Sequence, residues 1–176
     1  MSSLKDSEIK KASYWLSQVF VIIATIVGVF LAANQGYKLA VEFENNIAVK
    51  ESYYLQKSLQ YELEDNVLVV KSYIESIKGG DPSAKKAPLN LSTLVLENMK
   101  YSPITLSTPP EILRATQKFY RDVNEWYDKT STSTVAVSFG SGKLQAAIEA
   151  IEKEIDGLKA NTEQLKRQVE KAGMVL

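Results

Sequence analysis

Cysteine and histidine are both absent from the 176 residues. Without cysteine there is no disulfide framework, no thiol nucleophile and no thiolate metal site. Without histidine the commonest general base and the commonest transition-metal ligand are missing too, and with them the familiar catalytic triads. An excess of charge is also lacking: Lys plus Arg and Asp plus Glu are 21 each. Nucleic acid calls for a basic face, so no nucleic-acid partner is expected. Acid–base chemistry would fall to carboxylates, lysine or tyrosine alone, and no pair of these stands out from the solvated helix faces. The sequence therefore predicts no enzyme, and no catalytic residue, cofactor or metal site. Proline is scarce, with five in the chain and none from Tyr37 to Lys78. That leaves room for one long helix.

What is present is dominated by residues 14–33, YWLSQVFVIIATIVGVFLAA, a run without a charge. From Val19 onward its only hydroxyl is that of Thr25. A helix of this length crosses the ~30 Å hydrocarbon layer of a bilayer, with its backbone polar groups paired internally. Tyr14, Trp15 and Tyr37 stand where amphipathic rings favour the headgroup level. No second stretch is long and apolar enough to span, so the expected protein is single-pass in the cell membrane. A cleaved signal peptide is the rival reading, with Lys5, Lys10 and Lys11 as its basic region and Leu31, Ala32 and Ala33 as a loose cleavage site. The apolar run exceeds a signal core, so a retained anchor is expected. Three lysines precede the span, while Lys38 follows it closely. The more basic flank stays cytoplasmic, which places the N-terminus inside and the soluble domain outside the cytoplasm.

Ala24, Gly28, Ala32 and Gly36 recur every four residues. Such a ridge of small side chains lets another helix backbone approach closely, and it is the expected membrane-helix interface. No ionisable side chain lies in the span, which argues against a proton relay or an ion path.

Beyond the anchor remain about 140 residues, enough for one modest core. After a polar tail (1–13) and the span (14–33), a helical domain is expected over 34–130. It contains a long helix at 37–78, a short one at 91–99 and another at 109–129. Leu55, Leu59, Leu63, Val67, Val70, Ile74 and Ile77 form the apolar stripe of the long helix, with Lys57, Gln60, Glu62, Glu64 and Lys71 on other faces. The sequence GGDPS at 79–83 supplies its stop. Thr108, Pro109 and Glu111 read as an N-cap, first-turn proline and capping-box acid. Ile112, Thr116, Phe119, Val123 and Trp126 then form a core face. Residues 131–143 read as a flexible connector, with a short β-ribbon at 135–139 as the lesser reading. Gly140, Ser141, Gly142 and Lys143 resemble half of a phosphate-binding loop, but the pattern fails because Val137 and Leu144 stand where glycine and a hydroxyl residue are needed.

The C-terminal helix, 144–173, carries a heptad seam: Leu144, Ile148, Ile151, Ile155, Leu158, Leu165 and Val169, with Thr162 in the same register. It suits either a parallel two-chain coil or packing on the long helix of its own chain, and the second is favoured because a small domain needs a third apolar surface.

The fold class expected is all-α: one N-terminal transmembrane helix followed by a small antiparallel helical bundle with a heptad-patterned C-terminal helix. No family signature emerges, so no residue takes a role by analogy. The function expected is a non-enzymatic, membrane-anchored helical scaffold or accessory subunit. Its partners would be the lipid bilayer and other membrane subunits or further copies of itself. The alternative is an extracytoplasmic sensor coupled to a separate signalling partner, which would be favoured by a pocket lined by Tyr53, Tyr61, Tyr101 and Tyr120. A bilayer-permeabilising effector is weaker still, since an uncharged span builds an aqueous lumen poorly.

Overall fold

The computed structural model describes the backbone of residues 2–80 and 83–176 and the side chains of 14–80 and 83–176. Among these residues the protein is all-helical, with no strand. Helix α1 is Ser2–Lys78, α2 is Leu94–Met99, α3 is Pro110–Ser131 and α4 is Val137–Lys171, with 3-10 turns at Ala84–Lys86 and Pro103–Ser107. The chain divides into two compact units, Met1–Asn45 and Asn46–Leu176.

The first unit is a stretch of α1. It is helical from Ser2, so the polar tail belongs to the helix. The side chains of Lys5, Lys10 and Lys11, on which the expected orientation rests, lie outside the described residues, as does Met1. Among the described residues one helix is long and apolar enough to cross a membrane, with an apolar window of mean hydropathy 2.4, none of it buried. Thr25 donates its hydroxyl proton to the Val21 carbonyl at 2.8 Å. This back-bond pairs the one hydroxyl of residues 19–33 without help from solvent. The helix does not break at Asn34, Gln35 and Gly36. A single interior glycine costs about 1 kcal/mol, too little to end a helix whose neighbours favour it.

The second unit is organised by the apolar stripe of α1. Leu59, Leu63, Val67, Val70, Ile74 and Ile77 are buried, and Leu55 is half-buried beside them. From α3 come Ile112, Phe119 and Val123, and from α4 Leu144, Ile148, Ile151, Ile155 and Leu158, all in the same core cluster. Polar pairs fix the directions. Lys71 meets Glu152 at 2.6 Å, Glu64 meets Lys159 at 3.0 Å and Gln56 meets Asn161 at 2.5 Å. Descending α1 thus means ascending α4, and the two helices run antiparallel. Asn66 with Tyr120 and Tyr73 with Tyr127 ascend together, so α3 runs with α1.

The ends of the helices have local causes. Gly79 donates its N–H to the Glu75 carbonyl, and Gly80 takes φ +83°, a left-handed stop that glycine alone adopts freely. Asp81 and Pro82, the rest of the expected stop signal, lie outside the described residues. The short helix starts at Leu94, three residues later than expected. Helix α3 has Pro109 at its cap position with no side-chain cap bond, so the expected capping box is not made. Thr108 turns inward instead, buried, with its hydroxyl unpaired in the protein. Residues 131–143 are mostly helical: α3 runs to Ser131 and α4 begins at Val137, which removes both the long connector and the β-ribbon. The reason is the close crossing of α3 and α4 at Gly140. A Cβ there would lie 2.0 Å from the Thr130 hydroxyl, so a residue that looks like a helix breaker is the one that fits.

Candidate functional site

The small-residue ridge lies wholly on exposed surface. Ala24, Gly28, Ala32 and Gly36 are all uncovered, and a Cβ added at Gly28 or Gly36 would meet nothing within 4 Å. The apolar residues around them are uncovered as well, Ile22, Val29 and Phe30 among them. Tyr14 and Trp15 pack edge to face, their centroids 6.4 Å apart.

The α4 seam is placed differently. Leu144, Ile148, Ile151, Ile155, Leu158 and Val169 are buried in their own chain, and Leu165 is half-buried. Thr162, fully buried in the seam, donates to the Lys159 carbonyl at 2.9 Å. The ion pair from Glu64 to Lys159 flanks this contact. Burial works upward on the Glu64 pKa, but hydrogen bonds from Lys159 and Gln60 and the charges of Lys159 and Lys57 outweigh it and leave it below the ordinary value. Lys159 is held correspondingly above its own, chiefly by the hydrogen bond to Glu64.

A polar cluster that sequence reasoning missed sits at the edge of the core. Glu62 is buried, although periodicity puts it on an outer face. Its carboxylate accepts from the backbone N–H of Val95 at 2.6 Å and of Leu96 at 3.3 Å, and from the Ser92 hydroxyl at 3.3 Å. A carboxylate at that place meets the free N–H groups at the start of α2. One turn along, Asn66 grips the same segment through its amide, donating to the Ser92 carbonyl at 2.6 Å and accepting from the Ser92 N–H at 2.8 Å. Asn66 also donates to the Tyr120 hydroxyl at 2.8 Å. The single proton of Tyr120 serves either Glu62, at 3.1 Å, or the Ser92 carbonyl, at 2.9 Å. Burial, then the neighbouring charge of Glu62, pushes the Tyr120 phenol far above its ordinary pKa. It is a fixed hydrogen-bond donor at neutral pH. The cluster is internally satisfied and clamps the 92–96 segment to α1 and α3. The i, i+4 pair Glu62 and Asn66 beside the apolar stripe was its only trace in the sequence.

A second polar layer crosses the core nearer the start of the unit. Gln56, fully buried, accepts from Asn161 at 2.5 Å and donates to the Ser107 carbonyl at 3.3 Å, while the Ser52 and Ser107 hydroxyls lie 2.7 Å apart. The four tyrosines do not share a pocket. Tyr61 and Tyr101 are exposed, whereas Tyr120 is sealed in the cluster. A cleft of about 710 Å³ lies beside the first turns of α4, with Lys78 and Lys85 on one wall and Ser138 and Gln145 on the other. No site is assigned to it. Among the described residues no group of three or more acidic side chains is placed to hold a metal ion. No protein-family model, no curated protein and no solved structure matches the chain.

Proposed function

We propose that this protein is a non-enzymatic, membrane-anchored helical scaffold, an accessory subunit of a larger membrane complex. Residues 14–33 cross the cell membrane once, with the N-terminus cytoplasmic and the second unit outside the cytoplasm. The ridge of Ala24, Gly28, Ala32 and Gly36 packs against a helix of another subunit. The second unit, a small bundle in which the heptad seam of α4 runs antiparallel to α1, is the part presented to partners. The observation that carries this reading is the apolar window of α1, of mean hydropathy 2.4 and wholly unburied. In water, an uncovered surface of that size is a liability that soluble domains do not carry, while in a bilayer it is the stable state. The clamp at Glu62, Asn66 and Tyr120 supports the same reading, because every polar group in it is used in holding the fold.

The test is to wash native membranes with alkaline carbonate, solubilise them in mild detergent, and determine the mass and composition of the particle that contains this chain. Retention in the washed membrane together with copurifying membrane subunits is expected. A chain released by the wash, or one that runs as a lone monomer, would sink the proposal.

A further inference from the structure

Helix α1 carries a second apolar line in the Asn46–Leu176 unit, on the side away from the core. Ile47, Tyr54, Tyr61 and Leu68 stand seven residues apart, and as residues they are 37, 45, 54 and 61% exposed. Residues at this spacing lie one above another along a helix, drifting by only ~20° per repeat, and a partner helix follows them by a slight left-handed supercoil. The two rings are held in place by lysines one turn earlier, with the Lys50 ammonium 5.9 Å from the Tyr54 centroid and that of Lys57 4.9 Å from the Tyr61 centroid. The flanks of the line differ in charge. On one side are Glu51, Ser58 and Asp65, all exposed, and on the other Lys50 and Lys57, both half-exposed, with Lys50 also donating to the Val175 carbonyl at 2.6 Å and Lys57 to the Gln60 side chain at 3.2 Å. Glu64, the one acid on the basic side, is neutralised by Lys159 at 3.0 Å.

From this pattern we infer that the exposed line of α1 is the docking face for a second copy of the same chain, the two α1 helices lying parallel. Two-fold parallel pairing sets each line residue opposite its own counterpart, Tyr54 on Tyr54 and Leu68 on Leu68. It also brings the acidic flank of one copy against the basic flank of the other. Antiparallel pairing would set acid on acid and lysine on lysine. The charges thus select the one orientation open to two chains anchored in the same bilayer, and the inference rests on the anchor proposed above. Four partly exposed side chains supply at most ~400 Å² per copy, judged by the area of such side chains, against ~800 Å² for a standard interface. The pairing is therefore weak between free molecules and is completed by confinement in the membrane, which raises the effective concentration.

The chain has no cysteine, which makes site-directed cross-linking direct. Full-length Tyr54→Cys and Leu68→Cys are oxidised in native membranes beside Glu149→Cys, an exposed position on α4. Same-residue homodimers at positions 54 and 68, well above the control, are expected. Reversing the acidic flank with Glu51→Lys and Asp65→Lys should cut the Leu68→Cys dimer about 5- to 10-fold, the size expected for losing a few exposed ion pairs. Adding Lys50→Glu and Lys57→Glu should restore it. Dimer yields no higher than the control overturn the inference. So does a stronger cross-link between Tyr54→Cys and Leu68→Cys chains than within either, or an adduct with a different protein. Retention in carbonate-washed membranes is read on the same samples. A retained chain without dimers loses the docking face and keeps the anchor, whereas a released chain that still forms same-residue dimers loses the anchor and keeps the face.

Discussion

Tyr120 shows how much one buried hydroxyl holds. It touches Glu62, Asn66 and the Ser92 carbonyl, so Tyr120→Phe takes a hydrogen bond from the buried Asn66 amide and, with the lost proton, one from either the buried Glu62 or the Ser92 carbonyl. Leaving buried groups unsatisfied costs about 1–3 kcal/mol, and that loss is expected in urea unfolding of the detergent-solubilised chain followed by circular dichroism. The pH dependence has a definite sign. The folded phenol titrates above its ordinary 10.0, so its stabilisation is whole below pH 10 and is lost as pH rises toward the folded value. The slope is at most about 1.4 kcal/mol per pH unit. Tyr120→Phe should flatten this alkaline limb, leaving the parts due to Tyr73, which burial also raises, and to Lys159, which its hydrogen bond to Glu64 raises. An unchanged limb in the variant would remove Tyr120 from the account. Gly140 makes a second case. Its added Cβ would press on the Thr130 hydroxyl, which donates to the Trp126 carbonyl at 2.6 Å. Gly140→Ala should destabilise by about 1–3 kcal/mol, as overpacking does. Because the two sites touch, Thr130→Ala with Gly140→Ala should cost less than the two changes summed.

Helices whose apolar residues repeat cleanly were legible from the sequence, and elements set by a distant partner were not. The stripe from Leu59 to Ile77 lies on one face of α1 and is buried there. Glu62 stands off that stripe and breaks the expectation, because its burial depends on N–H groups of Val95 and Leu96, more than thirty residues away. The first two turns of α4 were obscured in the same manner. Gly140, Ser141 and Gly142 are weak helix formers, and only the approach of Thr130 explains why glycine stands in a helix there. The α4 seam was legible as a pattern, but a heptad does not itself say which helix it faces. Exposure separates its members: Leu158 is fully buried, whereas Leu165 is only half-buried. Leu158→Ala should therefore cost about 2–5 kcal/mol by leaving a core cavity, and Leu165→Ala distinctly less. Equal losses in thermal or urea unfolding would show that α4 has a second partner at Leu165.

For the whole molecule, the two units divide the work between them: the apolar residues of the second are largely spent on its own core, and those of the first are uncovered. On the proposed reading a helix of another subunit covers the ridge, since lipid alone does not require small residues at every fourth position. Gly28→Ile tests this directly. A Cβ added there meets nothing within 4 Å in this protein, so unfolding of the core should be unchanged, and the substitution makes the span more apolar, so membrane retention should hold. A helix packed on the ridge would instead be pushed away. Interhelical contacts in membranes are worth on the order of 1–2 kcal/mol, so the copurifying subunits should fall about tenfold. Ala33→Ile adds comparable bulk off the ridge, at an exposed position, and should leave the complex intact. If both variants keep their partners, the small residues serve no helix contact and assembly rests on the second unit. If both lose them, the span responds to bulk anywhere on its surface and the ridge has no special place. Loss with Gly28→Ile alone ties the complex to the face where Ala24, Gly28 and Ala32 line up.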